Sequence, residues 1–252
     1  ARTRGQYGRA IDLGRRAIEL ATEVGHAEFL SWAAQQLGWT LLEVLAASAA
    51  VEQLERSLQV AEEAGARIQM IRAACQLSLA LWLAGDQRKA LEGAAEAERL
   101  LRDVTAPPSR AYLQGADGPI ALANLQVAAA QPSRALDLVG PVLDAALEAE
   151  WHEVVAGAAL ASGRARVQLG DMAGAVRSLE TAADRTERFD MPGLSWRAHA
   201  ELAAALPLDA QGDHQSRARE IVEALSRSIQ DETIRRTFLE GATAQLSGGG
   251  AG

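Results

Sequence analysis

The chain has 252 residues, 48% of them apolar but only 4% aromatic, and a formal net charge of −8 with a pI near 5.1. Burial must rest on Ala, Leu and Val, which suits closely approaching helices, and the acidic balance argues against this segment holding a phosphate backbone, which takes clustered Lys and Arg. A single cysteine, Cys75, leaves no intramolecular disulfide and points to a reducing, cytoplasmic setting; no apolar run of about 18 residues marks a membrane span.

Six alanines, Ala10, Ala50, Ala90, Ala135, Ala175 and Ala218, recur at intervals of 40, 40, 45, 40 and 43 residues, each opening a long amphipathic run. Such a period belongs to an array in which each unit buries its apolar face only against its neighbours. Units are expected at 1–25, 26–66, 67–106, 107–150, 151–190 and 191–230, with a cap at 231–246. Together they make one repeat domain over 1–246, followed by a flexible tail at 247–252.

In chain order, the arginine-rich opening ARTRGQYGRAIDLGRRAI reads as the second helix of a unit whose first helix is missing, so the chain is expected to be a piece of a larger protein. The second unit pairs a helix over 26–45, carrying Trp32, Leu37, Leu41 and Leu45, with one over 51–64, across a small-residue break AASAA. In the third, helices over 68–84 and 89–101 flank a turn where Gly85 takes the left-handed position and Asp86 caps the second helix. The fourth holds the long interval. Ala106, Pro107, Pro108 and Ser109 form a loop, which is a binding loop or a tolerated connection; Asp117 caps a helix starting near Pro119, and Gly140 with Pro141 kinks or breaks the second helix. The fifth repeats the turn at Gly170 and Asp171, between 153–169 and 172–186. In the sixth, a helix over 194–206 ends at Pro207 and its mate covers 217–229. Asp231 then caps a closing helix with Ile234, Phe238, Leu239 and Leu246.

The turns LAGDQRKAL (83–91) and QLGDMAGAV (168–176), with the Leu37–Gly38 pair, resemble the tetratricopeptide repeat, which sets Leu-Gly in its first helix and alanine at the start of its second. Leu77–Ser78, Leu122–Ala123 and Ser162–Gly163 match the pair in part. A second alanine in the second helix is matched by Ala17, Ala97 and Ala182, but replaced by Ser57, Val142 and Leu225. The period exceeds the family's roughly 34 residues. The resemblance implies an all-α, right-handed α-solenoid of about six such hairpins, the first truncated, with a C-terminal capping helix. The long units and the segment SRSIQDETIRRTFLEGA are similar to the C-terminal sensor arrays of bacterial signalling ATPases of the maltose-activator kind, where the array receives an inducer or a protein and adjusts the switch.

That resemblance implies a groove lined by first-helix residues: Trp32, Gln35, Trp39, Arg72, Leu79, Trp82, Asn124, Arg164 and Gln168. Trp39 and Trp82 form an aromatic floor or fill space between long helices; Arg72 and Arg164 receive a ligand carboxylate or pair with a neighbouring acid. The neighbours of Cys75 favour a small buried residue over a reactive thiol. His26, His152, His199 and His214 lie far apart in sequence with no ligand spacing, so no metal is expected. Neither a phosphate-binding loop nor a nucleophile elbow occurs, and no cofactor or catalytic residue is expected. The chain reads as a non-catalytic module for a protein, peptide or small-molecule inducer, without nucleic acid or membrane, and the resemblance implies that it is part of a bacterial signalling ATPase. The alternative is a free-standing scaffold that docks a peptide or helix.

Overall fold

The computed structural model describes residues 1–102 and 115–247, so the loop expected at Ala106 to Ser109 and the tail beyond Ser247 lie outside the described residues. Among those described there are twelve helices and no strand: α1 (Tyr7–Val24), α2 (Ala27–Glu43), α3 (Ala47–Ala64), α4 (Arg67–Leu83), α5 (Gln87–Arg102), α6 (Asp117–Ala128), α7 (Pro132–Glu148), α8 (His152–Gln168), α9 (Met172–Arg188), α10 (Pro192–Ala205), α11 (Leu208–Arg227) and α12 (Glu232–Ser247). The protein is an all-α helical repeat.

Eight of these helices end in one way. A residue in the left-handed region recurs every twenty positions, at Gly25, Leu45, Gly65 and Gly85, then at Ala130, Glu150, Gly170 and Asp190. At each, the following amide donates to the carbonyl five residues back, as from Ala46 to Leu41, Asp86 to Leu81 and Trp151 to Ala146. This is the Schellman closure, which satisfies carbonyls a helix end would leave bare. Side-chain caps then start some of the next helices: the Lys89 amide donates to Asp86 at 3.2 Å, that of Gly174 to Asp171 at 2.9 Å, and those of Thr233 and Ile234 to Asp231 at 3.0 and 3.2 Å.

Several expectations are corrected. AASAA is no break: the turn sits at Val44 to Ala46, and Ala47 already lies in α3. The helix expected near Pro119 begins at Asp117, whose carboxylate also bonds across to α2 and α4. Gly140 and Pro141 do not break α7, which continues to Glu148. The helix expected over 217–229 begins nine positions earlier, at Leu208, directly after Pro207 sets an extended entry.

The chain divides into two compact units, Tyr7–Leu122 and Ala123–Gly252 together with Ala1–Gln6. In the first, each of α1 to α5 packs on the next, and α2 also lies against α4. The recurring alanines Ala50 and Ala90 are wholly buried. Gly38 permits the closest approach: a Cβ there would meet Leu54 Cγ at 2.6 Å. In the second unit α7 to α12 pack in succession and α8 lies against α10. Ala159, Leu160, Leu179, Ala182, Ala198 and Leu202 form a core cluster, and Gly163 admits Leu179 as Gly38 admits Leu54, with the same 2.6 Å clash for an added Cβ. The opening residues belong to this unit, held by Arg2 on Glu153, Arg4 on Asp190 at 2.7 Å, and the Ser228 hydroxyl on the Gly5 carbonyl at 2.9 Å. Gly5 has φ +66° and touches Leu225 and Pro192 so closely that no side chain fits.

Candidate functional site

Helix pitch brings Gln35 of α2 and Arg72 and Gln76 of α4 toward the start of α6, because α2 and α4 lie side by side. Asp117 receives them all. Arg72 Nε donates to Asp117 Oδ1 at 2.9 Å and Nη2 to Oδ2 at 2.7 Å, a bidentate pair; Gln76 Nε2 donates to Oδ2 at 2.8 Å and Gln35 Nε2 to the same oxygen at 3.2 Å. Gln35 Nε2 also donates to Gln76 Oε1 at 2.6 Å, and Gln36 Nε2 to Gln35 Oε1 at 2.7 Å. Gln35 and Gln76 are buried, and the Arg72 and Asp117 side chains are 15% and 21% exposed. A carboxylate from this chain thus fills the place where a ligand carboxylate was expected on Arg72, and the guanidinium is taken.

In the other unit Arg164 of α8 is held likewise. Its Nε donates to Glu201 Oε1 of α10 at 2.7 Å and its Nη1 to Asn124 Oδ1 of α6 at 3.2 Å, while Gln168 Nε2 donates to the Val127 carbonyl at 2.9 Å. The nine expected groove residues therefore fall into three sets. Gln35 and Arg72 join one polar cluster; Asn124 and Arg164 join another, with Gln168 beside it. Leu79 is buried, Trp39 and Trp82 are half-buried, and Trp32 stands 49% exposed.

Among the described residues, exposed large apolar side chains occur on the first two helices, at Leu83 and Leu91, and again between Leu147 and Met172. On α1, Leu13, Leu20 and Val24 are 53%, 45% and 76% exposed, and Ala17 between them is exposed too. Positions 13, 17, 20 and 24 follow the alternating four and three spacing of a helix seam. A different face of α1, with Tyr7, Ile11, Ile18 and Ala21, is the one that packs inward. On α2, Phe29 and Trp32 are exposed one turn apart, with His26 stacked on Phe29 at 4.1 Å. The counterpart of Ala17 one repeat later is Ser57. It is fully buried and locked to α2 by two reciprocal bonds, Ser31 hydroxyl to Ser57 carbonyl at 2.9 Å and Ser57 hydroxyl to Ser31 carbonyl at 2.8 Å.

Two further groups were not foreseen as partners. His199 of α10 lies with its Nδ1 2.8 Å from Nδ1 of His214 on α11, and its Nε2 3.1 Å from Glu187 Oε1 on α9. Burial pushes the His199 imidazole below the usual histidine value, against the opposing pull of Glu187. Cys75 is buried as expected, packed beside Gly118. Burial first, then the charges of Asp117 and Glu98, raise its thiol well above the ordinary range, so it is a packing residue with no thiolate to offer.

Among the described residues no three or more His, Cys, Asp or Glu side chains are grouped to hold a metal ion, and no helix is long and apolar enough to cross a membrane. Neither a family model nor a curated protein matches the chain.

Proposed function

We propose that the chain is a non-catalytic binding module of the tetratricopeptide kind, and that its recognition surface is the apolar seam of α1, its occupant an amphipathic helix. The carrying observation is the contrast between Ala17 and Ser57. The same position of the same half-repeat is exposed on α1 and sealed by a helix on α3, so the face is shaped for a helix, and its seam spacing is that of helix pairing. In the larger frame, the resemblance to signalling ATPase arrays supports a regulatory role in which a docking helix or protein is sensed. A free-standing scaffold uses the same surface. A small-molecule inducer held by Arg72 has first to displace Asp117.

A synthetic peptide with the sequence of residues 27–43, the helix that covers the equivalent face of α3, is the probe. We expect saturable binding to the intact chain, weakened at least about tenfold by Leu13→Glu with Leu20→Glu, since each substitution puts a charge into an apolar contact. Both residues are exposed, so the fold should persist, which circular dichroism checks. Binding unchanged by the pair of substitutions overturns the reading.

A further inference from the structure

We propose that His199 and His214 form a proton-operated joint that ties α10 to α11 while the pair carries no more than one added proton and opens when it takes two. The geometry requires this stoichiometry. With both rings neutral, His199 Nε2–H donates to Glu187 and leaves its Nδ1 lone pair facing His214, whose Nδ1–H supplies the bond across 2.8 Å. A first added proton is accommodated on either ring. His214 can charge at its far nitrogen and go on donating, or His199 can charge and donate while His214 moves its own proton away and accepts. A second proton sets N–H against N–H at that distance, and no tautomer relieves it.

The charged and titratable groups facing His199 come from α9 and α11, and the other helices packed on α10 meet it elsewhere. From α9 it meets Glu187, 3.1 Å away; from α11, His214 and also Arg217, whose Nε lies 3.6 Å from the same Glu187 oxygen. From α8, Arg164 reaches Glu201 further along α10, and α12 meets α10 through Phe238 on Trp196. Glu187 thus stands between one buried imidazole and one arginine, which limits how far it can favour a cation on His199. Opening the joint removes a side-chain tie near the start of α11, where Gln211 on the Leu206 carbonyl at 2.7 Å is another.

The sign follows from burial. An imidazole held below its unfolded value contributes stability at neutral pH that is lost as pH falls below about 6.5, because the unfolded chain then binds more protons than the folded one. The test uses the intact chain. In a nitrogen-15 histidine titration, the ring signals of His199 and His214 should respond together, and amide protection at residues 208–214 should fall in the same range. Independent response of the two rings overturns the proposal. In parallel, between about pH 7.5 and pH 5.5 the Tm of the unsubstituted chain should drop about 2–4 °C more than that of His199→Gln with His214→Gln, a pair that keeps a hydrogen bond without titrating. Equal drops overturn it as well.

Discussion

Gly38 admits Leu54 in the unit spanning Tyr7–Leu122, and Gly163 admits Leu179 in the unit formed by Ala123–Gly252 with Ala1–Gln6. These contacts come from one template: a glycine in the first helix of a hairpin and, sixteen positions later, a leucine in the second. What surrounds them differs. The first unit gathers two glutamines and an arginine around one aspartate and leaves an apolar seam open on α1; the second holds its arginine with a glutamate and an asparagine and adds the coupled histidines. The small-residue crossings set the helix spacing in both units. The polar side chains carried at that spacing were free to diverge, and they are where the two halves would acquire separate roles.

The largest expected effect breaks the polar contrast. Asp117→Ala strips the carboxylate from Arg72, Gln76 and Gln35 together and leaves a mostly buried guanidinium without its partner, so we expect a loss of about 3 kcal/mol in urea unfolding. Arg72→Leu combined with Asp117→Leu removes the orphan and should recover much of that loss, which a double-mutant cycle reads directly. Glu201→Ala in the other unit removes one acceptor from Arg164 while Asn124 remains, and should lose less, about 2 kcal/mol. A Glu201→Ala loss as large as that of Asp117→Ala would erase the distinction between a convergent cluster and a simple pair.

The next effect tests what is shared. Gly38→Ala and Gly163→Ala each drive a methyl group into a leucine and should each destabilise by about 1–3 kcal/mol, equally in the two units. Destabilisation at only one of the two positions would mean that the template is shared in sequence but not in packing. Ser57→Ala comes below these, at about 1 kcal/mol, because it removes one reciprocal hydroxyl bond while Ser31 keeps the Ser57 carbonyl as its acceptor.

The hairpins and the close crossings were legible where the chain uses residues with a conformational signature. Gly85 followed by Asp86, and Gly170 followed by Asp171, announce a left-handed stop and a cap, and both occur there. Leu45, Ala130, Glu150 and Asp190 take the same left-handed conformation without announcing it, since side chains other than glycine rarely adopt it. For that reason AASAA read as a break although it opens α3. The wider role of Asp117 was hidden for another reason: beside Gly118 and Pro119 it has the local look of a cap, while Gln76, Arg72 and Gln35 lie 41, 45 and 82 positions upstream, where no local spacing points. His199 and His214 stand 15 apart, too far for one helix face and close only because α10 packs on α11.

The smallest effect has the opposite sign, and it probes why the left-handed stops recur. At Glu150, φ is +51° and the side chain is exposed, so its carbon atoms gain no burial in return for the strained backbone. Glu150→Gly removes the steric penalty of the left-handed region, roughly 1–2 kcal/mol, and returns part of it through the greater freedom of glycine in the unfolded chain. A net gain of about 0.5–1 kcal/mol should appear as a raised urea midpoint, and Ala130→Gly should match it. Gly65→Ala, at φ +65° with open space around it, should lose a similar amount. If the three changes fail to mirror one another, the stops differ in ways their common hydrogen bonds do not record; if they do, the twenty-residue period is a backbone rule that glycine eases without creating.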